Sequence, residues 1–79
     1  MTRRRAKPIG RQIRERREQL ELSQVELAAR TGTTQPHISD IERGVWRPGT
    51  SLLVRLARAL ELDAALLLES IERKTRRRS

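Results

Sequence analysis

The sequence predicts an all-α domain of five short helices, and three observations carry that prediction. Apolar residues recur at three- and four-residue intervals, as in Ile9 and Ile13 or Leu53, Leu56 and Leu60. Helix start and stop signals fall between those runs: Pro8, Ser23, Thr34 and Asp63 before them, Gly32 and Gly44 after two of them. No segment shows the period-two alternation of a half-buried strand, and no stretch repeats another.

Taken in order, the first helix is expected from about Ile9 to Glu21, with Pro8 suited to its first turn. Ile9, Ile13, Arg17 and Leu20 lie along one face, so a cation interrupts an apolar stripe. The second helix covers roughly Gln24 to Thr31. Ser23 and Glu26 form the spacing of a capping box, Leu27 is the apolar anchor, and Ala28 is small enough for a close crossing. Gly32 supplies the freedom to stop and turn. The third helix covers roughly Gln35 to Arg43, capped by Thr34, tolerant of Pro36 in its first turn, and closed by Gly44. Ile38 and Ile41 form its inward face. A loop with Trp46, Pro48 and Gly49 leads to a fourth helix, about Ser51 to Leu60, with Leu53, Leu56, Ala57 and Leu60 inward. Asp63 caps a fifth, about Ala64 to Glu72, presenting Leu67, Leu68 and Ile71.

Seventy-nine residues make one domain near the lower size limit for a self-sufficient core. With neither Phe nor Tyr, that core must be Leu, Ile, Val and Ala, giving a net stability of about 3–5 kcal/mol. No cysteine is present, which excludes disulfides and thiolate chemistry and fits a reducing cytoplasm. The basic start has no apolar stretch behind it, so no signal peptide is expected, and no apolar segment reaches membrane-spanning length.

The net charge of +8 is unevenly placed. Arg3, Arg4, Arg5 and Lys7 form a basic arm over residues 1–7, and Arg73, Lys74, Arg76, Arg77 and Arg78 a basic tail over residues 73–79. These ends hold 9 of the 18 cations and none of the 10 anions, leaving residues 8–72 with a net charge of −1. The domain body is nearly neutral. Its arms would add phosphate affinity that is sensitive to salt and indifferent to sequence.

Helices two and three, joined by a tight turn, have the form of a helix-turn-helix unit, in which a polar helix held at a fixed angle enters the major groove of DNA. Thr34, Gln35, Pro36, His37, Ser39 and Asp40 fall on the leading or outward surface of that helix. Gln35 is the strongest candidate for base readout, because its amide can pair bidentately with adenine. The ring of Pro36 can pack against a thymine methyl. His37, the single histidine, can donate to a phosphate or a base, or stand uninvolved. Asp40 can accept from cytosine, cap neighbouring groups, or repel competing sequences. No cysteine or acidic cluster accompanies His37 at ligand spacing, so no metal and no cofactor is expected.

The chain from about Ile9 to Ile71 resembles the lambda-repressor/Cro-like, or XRE, helix-turn-helix family of bacterial and phage regulators. Arg17, Leu22-Ser23-Gln24, Glu26-Leu27-Ala28, Thr31-Gly32, Gln35, Ile38-Ser39, Ile41-Glu42 and Gly44 carry the resemblance. The run from Leu53 to Leu60, then Leu62-Asp63 and Leu67-Leu68, extends it. It implies a compact five-helix domain that binds operator DNA as a two-fold dimer. It places Ser23 and Gln24, at the start of the second helix, toward the DNA backbone, with Gln24 bracing the reading helix. It places Arg43, Trp46 and Arg47 in a loop that contacts the backbone, although Trp46 can instead pack on the domain's own flank. It also pairs Arg17 with Glu42 as a partly buried brace behind the reading helix.

Leu52, Ala64, Ala65 and Leu66 exceed what one internal face requires. Either Leu66 completes the core, or the four form the self-complementary patch of a homodimer. The reading that follows is a cytoplasmic, sequence-specific transcriptional regulator, a repressor on a pseudo-palindromic operator. Two alternatives stay open: an antitoxin that also binds a toxin protein, and a restriction-modification controller. No nucleophile–base constellation or phosphate-cradling glycine loop points to an enzyme.

Overall fold

Helix boundaries in this chain follow local capping chemistry. The computed structural model describes residues 8–65 and Leu67. Four α-helices are formed within them: α1 Ile9–Gln19, α2 Gln24–Thr31, α3 Gln35–Glu42 and α4 Thr50–Leu60. Ala64, Ala65 and Leu67 are also helical, but most of the fifth helix expected over Ala64 to Glu72 lies outside the described residues, as do both basic ends. The described fold therefore has four full helices where five were expected.

The capping box of α2 is complete: Ser23 Oγ accepts from the Glu26 amide at 2.9 Å, and the Ser23 amide donates to Glu26 Oε1 at 2.8 Å. That acceptance from the Ser23 backbone, helped by its hydroxyl, holds the Glu26 carboxyl below its usual range. Gly32, at φ 73°, ends the helix in the left-handed conformation. Thr34 caps α3, its hydroxyl accepting from the His37 amide at 3.4 Å, and Gly44 follows the helix at φ 78°.

The sequence pattern places the end of α1 at about Glu21. The helix ends two residues earlier, with Glu21 itself in the left-handed conformation at φ 58° and the Leu22 amide bonded to the Arg17 carbonyl at 3.0 Å. Glu61 ends α4 in the same way. Both are glutamates in a conformation that glycine adopts freely, held there by the bonds of the turn.

Ile13, Leu27, Ile38, Ile41, Leu56 and Leu60 are all but fully buried in one cluster shared by the four helices. A second, smaller cluster joins Leu53 and Ala57 of α4 to Leu67. Leu52, placed by sequence among dimer candidates, is only 8% exposed and belongs to the main cluster, so it is committed to the monomer's own core. Ala64 packs half-buried on the second cluster and Ala65 is exposed, while Leu66 lies outside the described residues.

Gly10 is buried where α1 crosses the end of α3. A Cβ there would lie 2.3 Å from the Ile41 carbonyl oxygen and 2.8 Å from that of Glu42. The two backbones therefore touch with no side chain between them, which fixes where the C-terminal end of α3 sits. The sequence reading passed over this residue. Its signal is a glycine inside a helical apolar pattern, tolerated at a cost in propensity where a close approach needs it.

Candidate nucleic-acid interface

The base of the site is a bidentate ion pair between α1 and α3. Arg17 Nε donates to Glu42 Oε2 at 2.7 Å and its Nη2 to Glu42 Oε1 at 3.0 Å. Arg17 Nη1 donates to the Leu22 carbonyl at 2.9 Å, which also ties down the connection to α2. The side chains are 12% and 3% exposed, so the pair is largely shielded from water. The bond to Glu42, opposed by burial, raises the Arg17 pKa above its ordinary value. This explains the cation on the apolar stripe of α1: its charge is used across the helix interface.

From the brace a line of hydrogen bonds leads outward. Gln24 Nε2 donates to Glu42 Oε1 at 3.0 Å, and Gln35 Nε2 donates to Gln24 Oε1 at 2.7 Å. Arg17, Glu42, Gln24 and Gln35 thus connect α1, α3, α2 and the first residue of α3 in sequence. Gln35 is exposed, and one end of its amide is set by Gln24 while its Oε1 and second amide hydrogen face no protein partner among the described residues. Those are the acceptor and donor that adenine readout requires.

Thr34 and Pro36 are exposed beside Gln35, and Ser39 is half-buried one turn along. Asp40 is paired: Arg43 Nη2 donates to its Oδ1 at 2.6 Å. Its backbone carbonyl accepts from the amides of Val45 and Trp46 at 2.9 and 3.3 Å, which turns the chain after α3. Of the roles open to Asp40, organisation of its neighbours is the one with partners in place. Arg43 and Arg47 are exposed, and so is Ser23, whose hydroxyl is engaged in the α2 cap.

His37 and Trp46 are brought together, which the sequence reading did not foresee. Their rings stack with centroids 4.9 Å apart and planes 18° from parallel. Thr33 Oγ1 lies 3.0 Å from His37 Nδ1, so the imidazole is held at one nitrogen and one face. Among the described residues no group of His, Cys, Asp and Glu is arranged to hold a metal ion, and no helix is long and apolar enough to cross a membrane.

With this geometry in place, comparison with known proteins decides the family. Residues 13–67 match the helix-turn-helix family. The chain belongs to the lambda-repressor/Cro-like (XRE) helix-turn-helix family. A relative in Sinorhizobium fredii, the uncharacterized HTH-type transcriptional regulator y4dL, is 53% identical over 58 residues, which cover 73% of this chain and 30% of y4dL. The immF control region 10 kDa protein of Bacillus phage phi105 is 36% identical over 61 residues, covering 77% of this chain and 68% of that protein. Among solved structures, the P22 c2 repressor in complex with a synthetic operator has a TM-score of 0.76 at 31% identity, covering 82% of this chain and 98% of that one. This helix-turn-helix chain spans less than two fifths of the length of y4dL and of two mycobacterial HTH-type regulators that it also resembles. Family and fold are those of DNA-binding regulators.

Proposed function

We propose that this domain binds double-stranded DNA in the major groove, selects its sequence through the leading end of α3, and represses transcription from the sites it occupies. The observation that carries the reading is Gln35, exposed at the first position of α3 with its amide set by Gln24. Thr34, Gln35, Pro36 and Ser39 contact base edges, and Asp40 orders Arg43 beside them. Ser23 and Gln24 at the start of α2, with Arg43 and Arg47 beyond α3, meet the phosphates. The basic ends, residues 1–7 and 73–79, add affinity for any duplex.

A domain this small reads few base pairs, and a two-fold dimer doubles the site. In that arrangement the two copies of α3 lie about 34 Å apart on a pseudo-palindromic operator, and the protein works in the cytoplasm of a bacterium or on a phage genome. Among the described residues, Ala65, exposed in the last helical segment, is the dimer candidate that burial leaves most available.

Selection of bound duplexes from random sequence tests the reading. The expected result is a two-fold symmetric consensus that Gln35→Ala relaxes at one base per half-site, with a loss of about 1–3 kcal/mol on the selected duplex. Recovery of random sequence, with affinity governed by salt alone, would contradict it.

A further inference from the structure

The exposed amide of Gln35 has a direction that it cannot reverse, and the buried brace imposes it. Glu42 is paired with Arg17 and only 3% exposed, so its carboxylate accepts and cannot donate. Gln24 must therefore turn its nitrogen inward, where Nε2 donates to Glu42 Oε1 at 3.0 Å. That leaves Gln24 Oε1 turned toward Gln35, and a carbonyl oxygen only accepts. Gln35 answers with its own nitrogen, Nε2 donating at 2.7 Å. If the Gln35 amide turned over, two oxygens would face each other at that distance with no hydrogen between them. Polarity is thus passed from a buried charge to an exposed side chain. Gln35 is left with one oxygen and one amide hydrogen in a fixed order.

Such a group tolerates little change in the base it meets. On the groove side a paired adenine offers N7 as acceptor and one N6 hydrogen as donor, while thymine holds the other N6 hydrogen. A methyl group on N6 must take the groove-side position, because the pairing position needs its hydrogen. The Gln35 oxygen would then meet carbon where it needs a donor, and would be left unpaired in a contact closed to water. A free glutamine could swing aside and keep a single bond to N7. Gln35 swings only by giving up its bond to Gln24, which leaves Gln24 Oε1 without its donor.

We infer that this domain senses N6 methylation of adenine: it binds a duplex whose unmodified adenine faces Gln35 and releases that duplex when the adenine carries an N6-methyl group. The inference rests on the DNA-binding reading and adds a means of regulating the same site. Methylation changes no charge, so the two forms are told apart by shape and hydrogen bonding, with no part played by the basic ends. Gln35 is the sensor. Gln24, backed by Glu42 and Arg17, is the positioning residue that makes it strict.

The test uses the full chain and the duplex that the wild type selects from random sequence. Gln35→Ala locates the adenine, as the position in each half-site whose preference it relaxes. The duplex is then made with N6-methyladenine at that position and, as a control, with N6-methyladenine at a flanking adenine instead. The wild type should bind the first about 10- to 100-fold more weakly than the unmodified duplex, and the control as well as the unmodified one. Gln35→Ala should bind methylated and unmodified duplexes equally to within about twofold, so that the methyl group acts through this side chain and not through duplex stability. Gln24→Ala, with folding checked by its melting curve, should lower the wild-type discrimination by about 3- to 10-fold. Equal binding of methylated and unmodified duplexes by the wild type, or a penalty that survives Gln35→Ala, would overturn the inference and leave the DNA-binding reading standing. So would a Gln35→Ala variant that relaxes no adenine. A penalty unchanged in Gln24→Ala would overturn the fixed amide. Failure of the wild type to prefer any duplex would overturn the DNA-binding reading, and the methylation sensor with it.

Discussion

The two edges of α3 are held by opposite means. On the α2 side, a bidentate ion pair that is nearly shut off from water anchors a line of hydrogen bonds ending at Gln35. On the loop side, the contacts are exposed: Asp40 with Arg43, and His37 with Trp46. A buried, fully bonded network costs much to break and has one geometry, so it sets the angle of the helix before any ligand arrives. Exposed pairs cost little to break and can adjust, which suits contacts with a backbone whose shape varies along DNA. One edge of α3 is fixed, and the other is free to adjust.

Breaking the braced edge should have the largest effect. Glu42→Ala leaves the Arg17 guanidinium largely buried without its partner and removes the acceptor of Gln24, and should cost about 3–5 kcal/mol in thermal or urea melts. Against a net stability that is small for a domain of this size, such a variant would be mostly unfolded at ordinary temperature unless DNA is present. Gly10→Ala comes next, at about 1–3 kcal/mol in the same melts. Alanine would gain up to about 1 kcal/mol of helix propensity, but its Cβ would lie 2.3 Å from a backbone carbonyl that no side-chain rotation can move.

The same truncation on the loop edge should be nearly silent for stability. Asp40 and Arg43 are 36% and 63% exposed, so Asp40→Ala should change the melt by no more than about 0.5–1 kcal/mol. A large loss there would erase the contrast between the edges. The smallest effect is expected at the start of α2. The depressed Glu26 carboxyl contributes to stability above its ordinary value of 4.5, and that contribution is lost as pH falls through the lowered folded value. Melting temperatures of wild type and Glu26→Gln should therefore differ at neutral pH and converge in acid.

Much of the braced edge was legible in the sequence. Ser23 with Glu26, Thr34, Gly32 and Gly44 act through bonds to residues within a turn, so spacing alone displays them. Arg17 and Glu42 were legible because a cation on an apolar stripe needs a partner, and the family resemblance supplied one. The stops at Glu21 and Glu61 were hidden, because a left-handed glutamate leaves no mark in composition and depends on the turn around it. The contact of Gly10 with Ile41 and Glu42, and the stack of His37 on Trp46, join residues from different elements, and only the fold brings them together. Leu52 was misplaced for a related reason: α4 buries two faces, one on the main cluster and one toward Leu67, so its surplus apolar residue is absorbed internally.

The brace reaches the reading edge of α3 through Gln24 and Gln35. A double-mutant cycle measures it, with dissociation constants on the selected duplex for wild type, Gln24→Ala, Gln35→Ala and the pair. If Gln24 sets the amide that reads the base, the losses overlap, and the double variant should bind worse than Gln35→Ala only by what Gln24 adds at the phosphates, a coupling of about 0.5–3 kcal/mol. Fully additive losses would show that the two glutamines meet DNA independently and that the brace does not reach the reading edge.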